Sequence, residues 1–158
     1  MDLPKWDDQT LHEELRLLHW VKRMFLFEES GVFGITTGAL RYGSPEKYPE
    51  HYGCSVQGVD LQPSGPLHRN ERFSWNEYCA AVFHTGLVRT PENSEQIAGV
   101  IRDPSDDEPT HCLIRIRDEK QRKRLWEPIR ARIIEHCRGK LLMTEAQANE
   151  ALFPSSTE

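Results

Sequence analysis

The chain has 158 residues and a formal net charge of −5, and 37% of its residues are hydrophobic. That length fits a single domain, which we expect over residues 1–153, followed by a polar tail at 154–158. No apolar run approaches the roughly 20 residues of a membrane helix, and the start lacks a signal-peptide pattern, so we expect no membrane partner. The lean hydrophobic fraction leaves open that a partner or a second copy in a homodimer completes the core.

The four cysteines are widely separated, at Cys54, Cys79, Cys112 and Cys137. This spacing is typical of buried thiols in a reducing compartment, so we expect a cytoplasmic protein. We also expect no cofactor. Two residues separate His51 from Cys54, but zinc usually takes two close pairs of ligands. We expect no metal site, although metal binding by this loop stays open.

The first predicted element is a helix from Asp8 to Ser30, because apolar residues recur there at helical spacing. Thr10 and Glu13 have the spacing of a capping box, and Gly31 is a typical helix stop. A second helix is predicted from Ser74, with Glu77 as its capping partner and Gly86 beyond its end.

Two strands are predicted at 96–102 and 111–117, because apolar and polar residues alternate there. The segment between them is rich in proline, aspartate and serine, which predicts a hairpin. Helical sequence follows to about Arg138, and Pro128 predicts either a kink or a new helix that starts there. A last short helix is capped by Thr144 and Gln147. The predicted fold is therefore α+β: a small antiparallel sheet, built on the hairpin 96–117, packed against three main helices.

Residues 39–73 form a long segment rich in glycine, proline and tyrosine, in which only Val56–Leu61 resembles a strand. Loops of this length are often functional. The tyrosines Tyr42, Tyr48 and Tyr52 therefore have two interpretations, an exposed binding surface or anchors that hold the segment to the body.

The segment 115–140 is strongly basic although the whole chain is acidic. A solvated helix face, an acidic protein partner and nucleic acid are all open interpretations, but no aromatic residues alternate with the basic ones, which disfavours nucleic acid. The predicted contact residues are Lys120, Lys123, Arg124, Arg130, Arg132 and Arg138, together with the three tyrosines.

We find no coherent catalytic set in the sequence and expect no catalytic residue. The expected function is therefore a non-enzymatic interaction protein, of inhibitor, immunity or adaptor type, that binds an acidic protein surface. The alternative is a nucleic-acid-binding or nucleic-acid-processing enzyme that uses the segment 115–140, with Arg130 and His136 or the His51/Cys54 loop at its centre.

Overall fold

The fold is a mixed α and β structure dominated by an antiparallel sheet, which a computed structural model describes over residues 6–154. The strands are β1 (Arg16–Lys22), β2 (Leu26–Glu29), β3 (Val32–Ile35), β4 (Cys54–Gly58), β5 (Tyr78–His84), β6 (Ala98–Arg102) and β7 (His111–Ile116). Five strands form the main sheet in the order β5-β1-β4-β7-β6, and β2 pairs with β3 in a separate two-stranded sheet. The helices are α1 (Thr85–Arg89), α2 (Arg122–Cys137) and α3 (Glu145–Leu152).

The predicted fold class is wrong in its balance of helix and sheet. A small sheet against three main helices was expected, whereas the main sheet has five strands and only α2 and α3 are sizeable helices. Both errors come from strands that were taken for helices.

The predicted helix from Asp8 to Ser30 is instead β1 followed by the hairpin β2–β3. β1 is a central strand covered on both faces, so Leu17, Leu18, Trp20 and Val21 are all buried. A strand that is apolar on both faces has no clear period of two, and its apolar residues can match helical spacing by chance. The left-handed Gly31 closes a two-residue turn with Ser30 in this hairpin, where both residues have positive φ.

The second predicted helix is also a strand, since β5 occupies Tyr78–His84. Ser74 and Glu77 do not form a capping box; the backbone carbonyl of Ser74 accepts the N–H groups of Glu77 and Tyr78, at 3.0 and 2.8 Å, in a turn. Buried Cys79, Ala80 and Ala81 again gave a continuous apolar run without a period.

The carboxy-terminal half follows the sequence patterns closely. The hairpin is confirmed, because β6 pairs with β7 in antiparallel register. Thr144 caps α3 by accepting the N–H of Gln147, which confirms that capping pair. α2 runs through Pro128 without interruption, so no new helix starts there.

The main sheet lies between two apolar layers. α2 covers one face with Ile129, Ile133 and Cys137, all fully buried against the sheet. The other face carries a second cluster in which Leu18 and Trp20 pack with α3 and with the chain around Phe73. No helix within residues 6–154 is both long and apolar enough to cross a bilayer. The predicted tail, apart from Pro154, lies outside the described residues.

Candidate functional sites

The segment between β3 and β4 separates two neighbouring cavities. Both are lined by Gly38, Arg41, Gly43 and Tyr48. The segment is closed at its neck by a bridge in which Gly43 and Gly53 each donate an N–H to the other's carbonyl, at 2.8 and 3.0 Å. A closed neck holds this compact loop in one place, so the residues on it can contribute to two defined sites.

The closure of this loop depends on glycine at position 53. Gly53 has a φ of +123°, and a Cβ built there would lie 2.5 Å from the backbone carbonyl of Ile114 on β7. No other residue fits this position without movement of the loop away from the strand.

The first cavity, which we call the cationic groove, lies between the amino-terminal half of α2 and the segment 37–48. It has a volume of about 710 Å³, and Glu127 is its only acidic lining residue among those described. Five cationic residues line it: Arg41, Lys47, Arg122, Lys123 and Arg130.

Most of these cations have no carboxylate partner. Arg122 faces Glu46 at 3.5 Å, and the Lys47 ammonium lies 5.5 Å from the centre of the Tyr48 ring. The side chains of Arg41, Lys123 and Arg130 make no hydrogen bond or ion pair with any residue of the described range 6–154. The groove therefore holds cationic charge that the surrounding protein does not neutralise.

Tyr42 fixes one wall of the groove to the core. Its hydroxyl donates to Glu119 and accepts the backbone N–H of Ile116 at 3.1 Å, while its ring packs 5.3 Å from that of Trp126. Burial raises the pKa of Tyr42 and also that of the Glu119 carboxyl. The second carboxylate oxygen of Glu119 is buried without a hydrogen-bond partner in the described part of the chain.

The other two tyrosines differ in exposure. Tyr52 lies under the guanidinium of Arg115, 3.6 Å from its ring centre, and Arg115 also donates to the backbone carbonyls of Tyr52 and Glu50. Arg115 therefore anchors the loop instead of forming part of an open basic surface. Tyr48 is 44% exposed and lines both cavities, so it is the tyrosine best placed to contact a ligand.

The remaining predicted contact residues do not form one surface with the groove. Arg132 donates to the carbonyls of Leu87 and Thr90, both at 2.9 Å, and pairs with Glu92, so its guanidinium is committed to holding α1.

Arg138 faces Glu29 at 3.5 Å, beside the β2–β3 hairpin. Lys120 and Arg124 are exposed outside the lining of the groove. The basic segment is thus divided by the fold, and of the predicted contact residues in it only Lys123 and Arg130 line the groove.

The second cavity, which we call the histidine cleft, opens where two central strands separate. β1 and β4 pair only through Leu17–Gly58 and Leu18–Gln57. Two overlapping pockets of about 600 and 490 Å³ fill the opening and share most of their lining.

His19 sits at the point of separation. Its Nδ1 lies 2.8 Å from the carbonyl oxygen of Ser55, and its Nε2 lies 2.6 Å from that of Ala39. A neutral imidazole has one N–H and can donate to only one of these carbonyls. Burial of the ring lowers the pKa of His19, although both carbonyls act in the opposite direction.

One carboxylate joins two further histidines in the cleft. Asp103 lies 2.7 Å from Nδ1 of His51 and 3.1 Å from Nδ1 of His111. These contacts orient both rings, and the exposed His51 has no partner for Nε2 among residues 6–154. A carboxylate on Nδ1 with an open Nε2 is an arrangement that can donate to or accept from a ligand.

Three cationic side chains complete the cleft. Arg72 pairs with Glu108 at 3.0 Å. Lys22 and Arg41 are exposed, and neither side chain has a hydrogen bond or ion pair within the described range. The wall beside them is aromatic, with Trp20 stacked on Phe73 at 5.4 Å.

The structure gives no support to a metal site in this region. No group of three or more histidine, cysteine or acidic side chains within residues 6–154 has the geometry to hold an ion. Cys54 lies in the core, where burial raises the pKa of its thiol to about 12, so it does not join His51 as a ligand. The four cysteines are free and buried.

The structure also separates the predicted pair Arg130 and His136. Arg130 lines the cationic groove, whereas His136 does not. Burial lowers the pKa of His136, and the charges of Lys140 and His84 act on it in the same direction.

The sequence analysis missed most of the histidine cleft. His19, Lys22, Arg72 and His111 come from separate strands and loops, and no spacing along the chain indicates that they meet. Of the residues that line the cleft, only His51 and Tyr48 had been singled out as candidates for a site. The segment between the hairpin strands was interpreted only as a turn, whereas its first residue, Asp103, contacts His51 and His111.

Comparison of the chain with protein-family models, with curated proteins and with solved structures gave no match.

Proposed function

We propose that this protein is a non-enzymatic binding protein that captures an acidic segment of a partner protein in the cationic groove. The observation that carries this proposal is the set of unpaired cations Arg41, Lys123 and Arg130 around one cavity. Cations without an internal carboxylate are free to pair with carboxylates that a partner supplies. An inhibitor, immunity or adaptor protein would use the groove in this way.

The shape of the groove also favours a partner segment over a broad flat contact. A volume of about 710 Å³ between α2 and the segment 37–48 can hold a few side chains of an extended chain. Arginine can bind a carboxylate with two parallel hydrogen bonds, which gives Arg41 and Arg130 a role in orientation as well as attraction.

Single-stranded nucleic acid is a second candidate, favoured by Tyr48. No aromatic residue alternates with the basic residues along the sequence, but the fold places the exposed Tyr48 ring beside Lys47 in the groove. Stacking of a base on an exposed ring next to cations is the usual means of binding single strands.

Fluorescence anisotropy separates these candidates. A labelled ten-residue glutamate-rich peptide, a poly-alanine peptide and a single-stranded RNA of ten nucleotides would be titrated with the purified protein. Saturable binding of the acidic peptide that weakens with added salt supports the proposal. Binding of RNA alone supports the second candidate, and absence of binding by any probe contradicts both.

We also propose a reducing, cytoplasmic location, which four free and buried thiols favour. Self-association into a homodimer stays a prediction.

A further inference from the structure

We propose that the histidine cleft binds a small phosphate monoester that carries an aromatic group. The phosphate would lie between Lys22, Arg41 and Nε2 of His51, and the aromatic group would lie against the wall formed by Trp20 and Tyr78. This site lies on the other side of the 37–48 segment from the cationic groove. Arg41 lines both cavities, whereas Lys22 and His51 line the cleft and not the groove.

The cationic side of the cleft favours an anion. Lys22 and Arg41 have no internal partner among the described residues, whereas the two carboxylates nearby are already in use. Glu108 pairs with Arg72, and Asp103 is shared by two histidines. The cleft therefore offers free hydrogen-bond donors to a ligand, while its two carboxylates already pair with side chains of the protein.

A phosphate suits these donors better than a single carboxylate does. An ammonium, a guanidinium and an imidazole come from three different segments, at β1, the 37–48 segment and the loop before β4. Three donors on one cavity match the three terminal oxygens of a phosphate monoester, and arginine binds two of those oxygens at once. His51 donates from Nε2 when both of its ring nitrogens carry a proton, because its Nδ1–H is directed to Asp103.

An aromatic wall lies beside Lys22 and favours a ligand with an aromatic group. Lys22 and Tyr78 are directly paired across β1 and β5, so their side chains lie on the same face of the sheet. Trp20 lies two residues before Lys22 on that face, and its ring nitrogen is already held by Gln57 at 3.2 Å. This arrangement places the apolar wall of Trp20 and Tyr78 next to the unpaired ammonium of Lys22 on the same face of the sheet.

The size of the cleft fits such a ligand. Its two overlapping pockets measure about 600 and 490 Å³, which lies within the range of pockets that hold small ligands.

Calorimetric titration tests this assignment with four probes: inorganic phosphate, phenol, phenyl phosphate and adenosine monophosphate. We expect phenyl phosphate or adenosine monophosphate to bind at least about tenfold more tightly than inorganic phosphate or phenol. Preference for phenyl phosphate would indicate a small aryl ligand, and preference for adenosine monophosphate would indicate a nucleotide. No saturable binding of either ester up to about 10 mM would overturn the proposal.

Variants locate the ligand within the protein. Lys22→Gln and His51→Gln change exposed side chains, and each should weaken binding of the preferred ester about tenfold. Lys123→Gln, in the cationic groove, should leave ester binding unchanged while it weakens binding of the acidic peptide. Unchanged ester binding in both Lys22→Gln and His51→Gln would overturn the assignment, even if the groove proposal holds.

Histidine ring resonances give a readout that does not depend on affinity. In the nitrogen-edited spectrum of the wild-type protein, phenyl phosphate should shift the ring signals of His51. Those of His12, which lies outside the cleft, should not move. Shifts confined to histidines outside the cleft would contradict the proposed position.

Discussion

His51 and Asp103 are 52 residues apart in the chain, yet their side chains meet at 2.7 Å and join the loop before β4 to the turn after β6. Because the same carboxylate also contacts the largely buried His111, it connects two sides of the histidine cleft. We expect Asp103→Asn to lower the free energy of unfolding by about 1–3 kcal/mol, since a charged acceptor is lost.

Urea unfolding measures this change, and Asp106→Asn in the same turn is the matched control. Asp106 is exposed and has no ion pair within residues 6–154, so its substitution should change stability by less than about 0.5 kcal/mol. Equal effects of the two substitutions would show that Asp103 does not join the two segments.

Much of the carboxy-terminal half could be predicted from the sequence because its signals are local. The hairpin strands alternate apolar and polar residues, and Thr144 with Gln147 caps α3 as their spacing indicates. The amino-terminal half could not, because β1 and β5 are apolar on both faces. Their identity as strands depends on pairing with each other, which is not visible in either segment alone.

The two sites were also predictable to different extents, because one has a local signal in the sequence and the other depends on tertiary structure. Tyr42, Tyr48, Lys123 and Arg130 were singled out by composition, and the fold brings these four into one groove. The histidine cleft depends on the separation of β1 from β4, which follows from tertiary structure only. Arg132 was predicted as a contact residue, whereas its guanidinium donates to backbone carbonyls of α1 and its flank. Such acceptors leave no trace in a charge pattern.

Tyr42→Phe should destabilise the protein although it removes a single oxygen. The hydroxyl serves both the Glu119 carboxyl and the N–H of Ile116, and its loss leaves both groups without that partner. We expect a decrease of about 1–3 kcal/mol in the free energy of unfolding. Tyr48→Phe is the control, because the Tyr48 hydroxyl has no hydrogen bond within the described residues and its loss should have little effect.

Gly53→Ala should be one of the most damaging single substitutions in the chain. The added Cβ would lie 2.5 Å from the carbonyl of Ile114, and the backbone of β7 cannot yield easily. We expect a loss of at least about 3 kcal/mol, measured by urea unfolding.

Gly31→Ala is the control that measures the cost of a positive φ without a steric clash. Gly31 also has a positive φ, but a Cβ there would meet nothing within 4 Å, so its substitution should cost only about 1 kcal/mol. A cost at Gly53 no greater than that at Gly31 would show that the loop can move away from β7.

The stability of the protein should depend on pH through His19. Burial lowers the pKa of this ring below 6.5, so the unfolded chain binds the proton more tightly than the folded protein does. The stability contributed by neutral His19 is therefore fully present above pH 6.5. It is lost progressively as the pH falls from 6.5 through the lower pKa of the folded protein. His136 has a lowered pKa as well, so part of the dependence should persist without His19.

His19→Gln measures the share that belongs to His19. Comparing the free energies of unfolding of this variant and the wild-type protein between pH 7.5 and about pH 5 isolates the contribution of one ring. We expect the variant to lose less stability on acidification. A steeper loss in the variant would mean that protonated His19 is the form that stabilises the fold.

The most direct test of the cationic groove is the affinity of the glutamate-rich peptide for Lys123→Glu/Arg130→Glu, compared with that for Lys120→Glu/Arg124→Glu. Both double variants reverse two charges on the same basic segment, but only the first pair lines the groove. The account predicts that the first variant loses at least about 100-fold in affinity, while the second keeps affinity within a few-fold of the wild-type value. Equal losses in the two variants would indicate diffuse attraction to the basic segment and would contradict a groove that binds the partner.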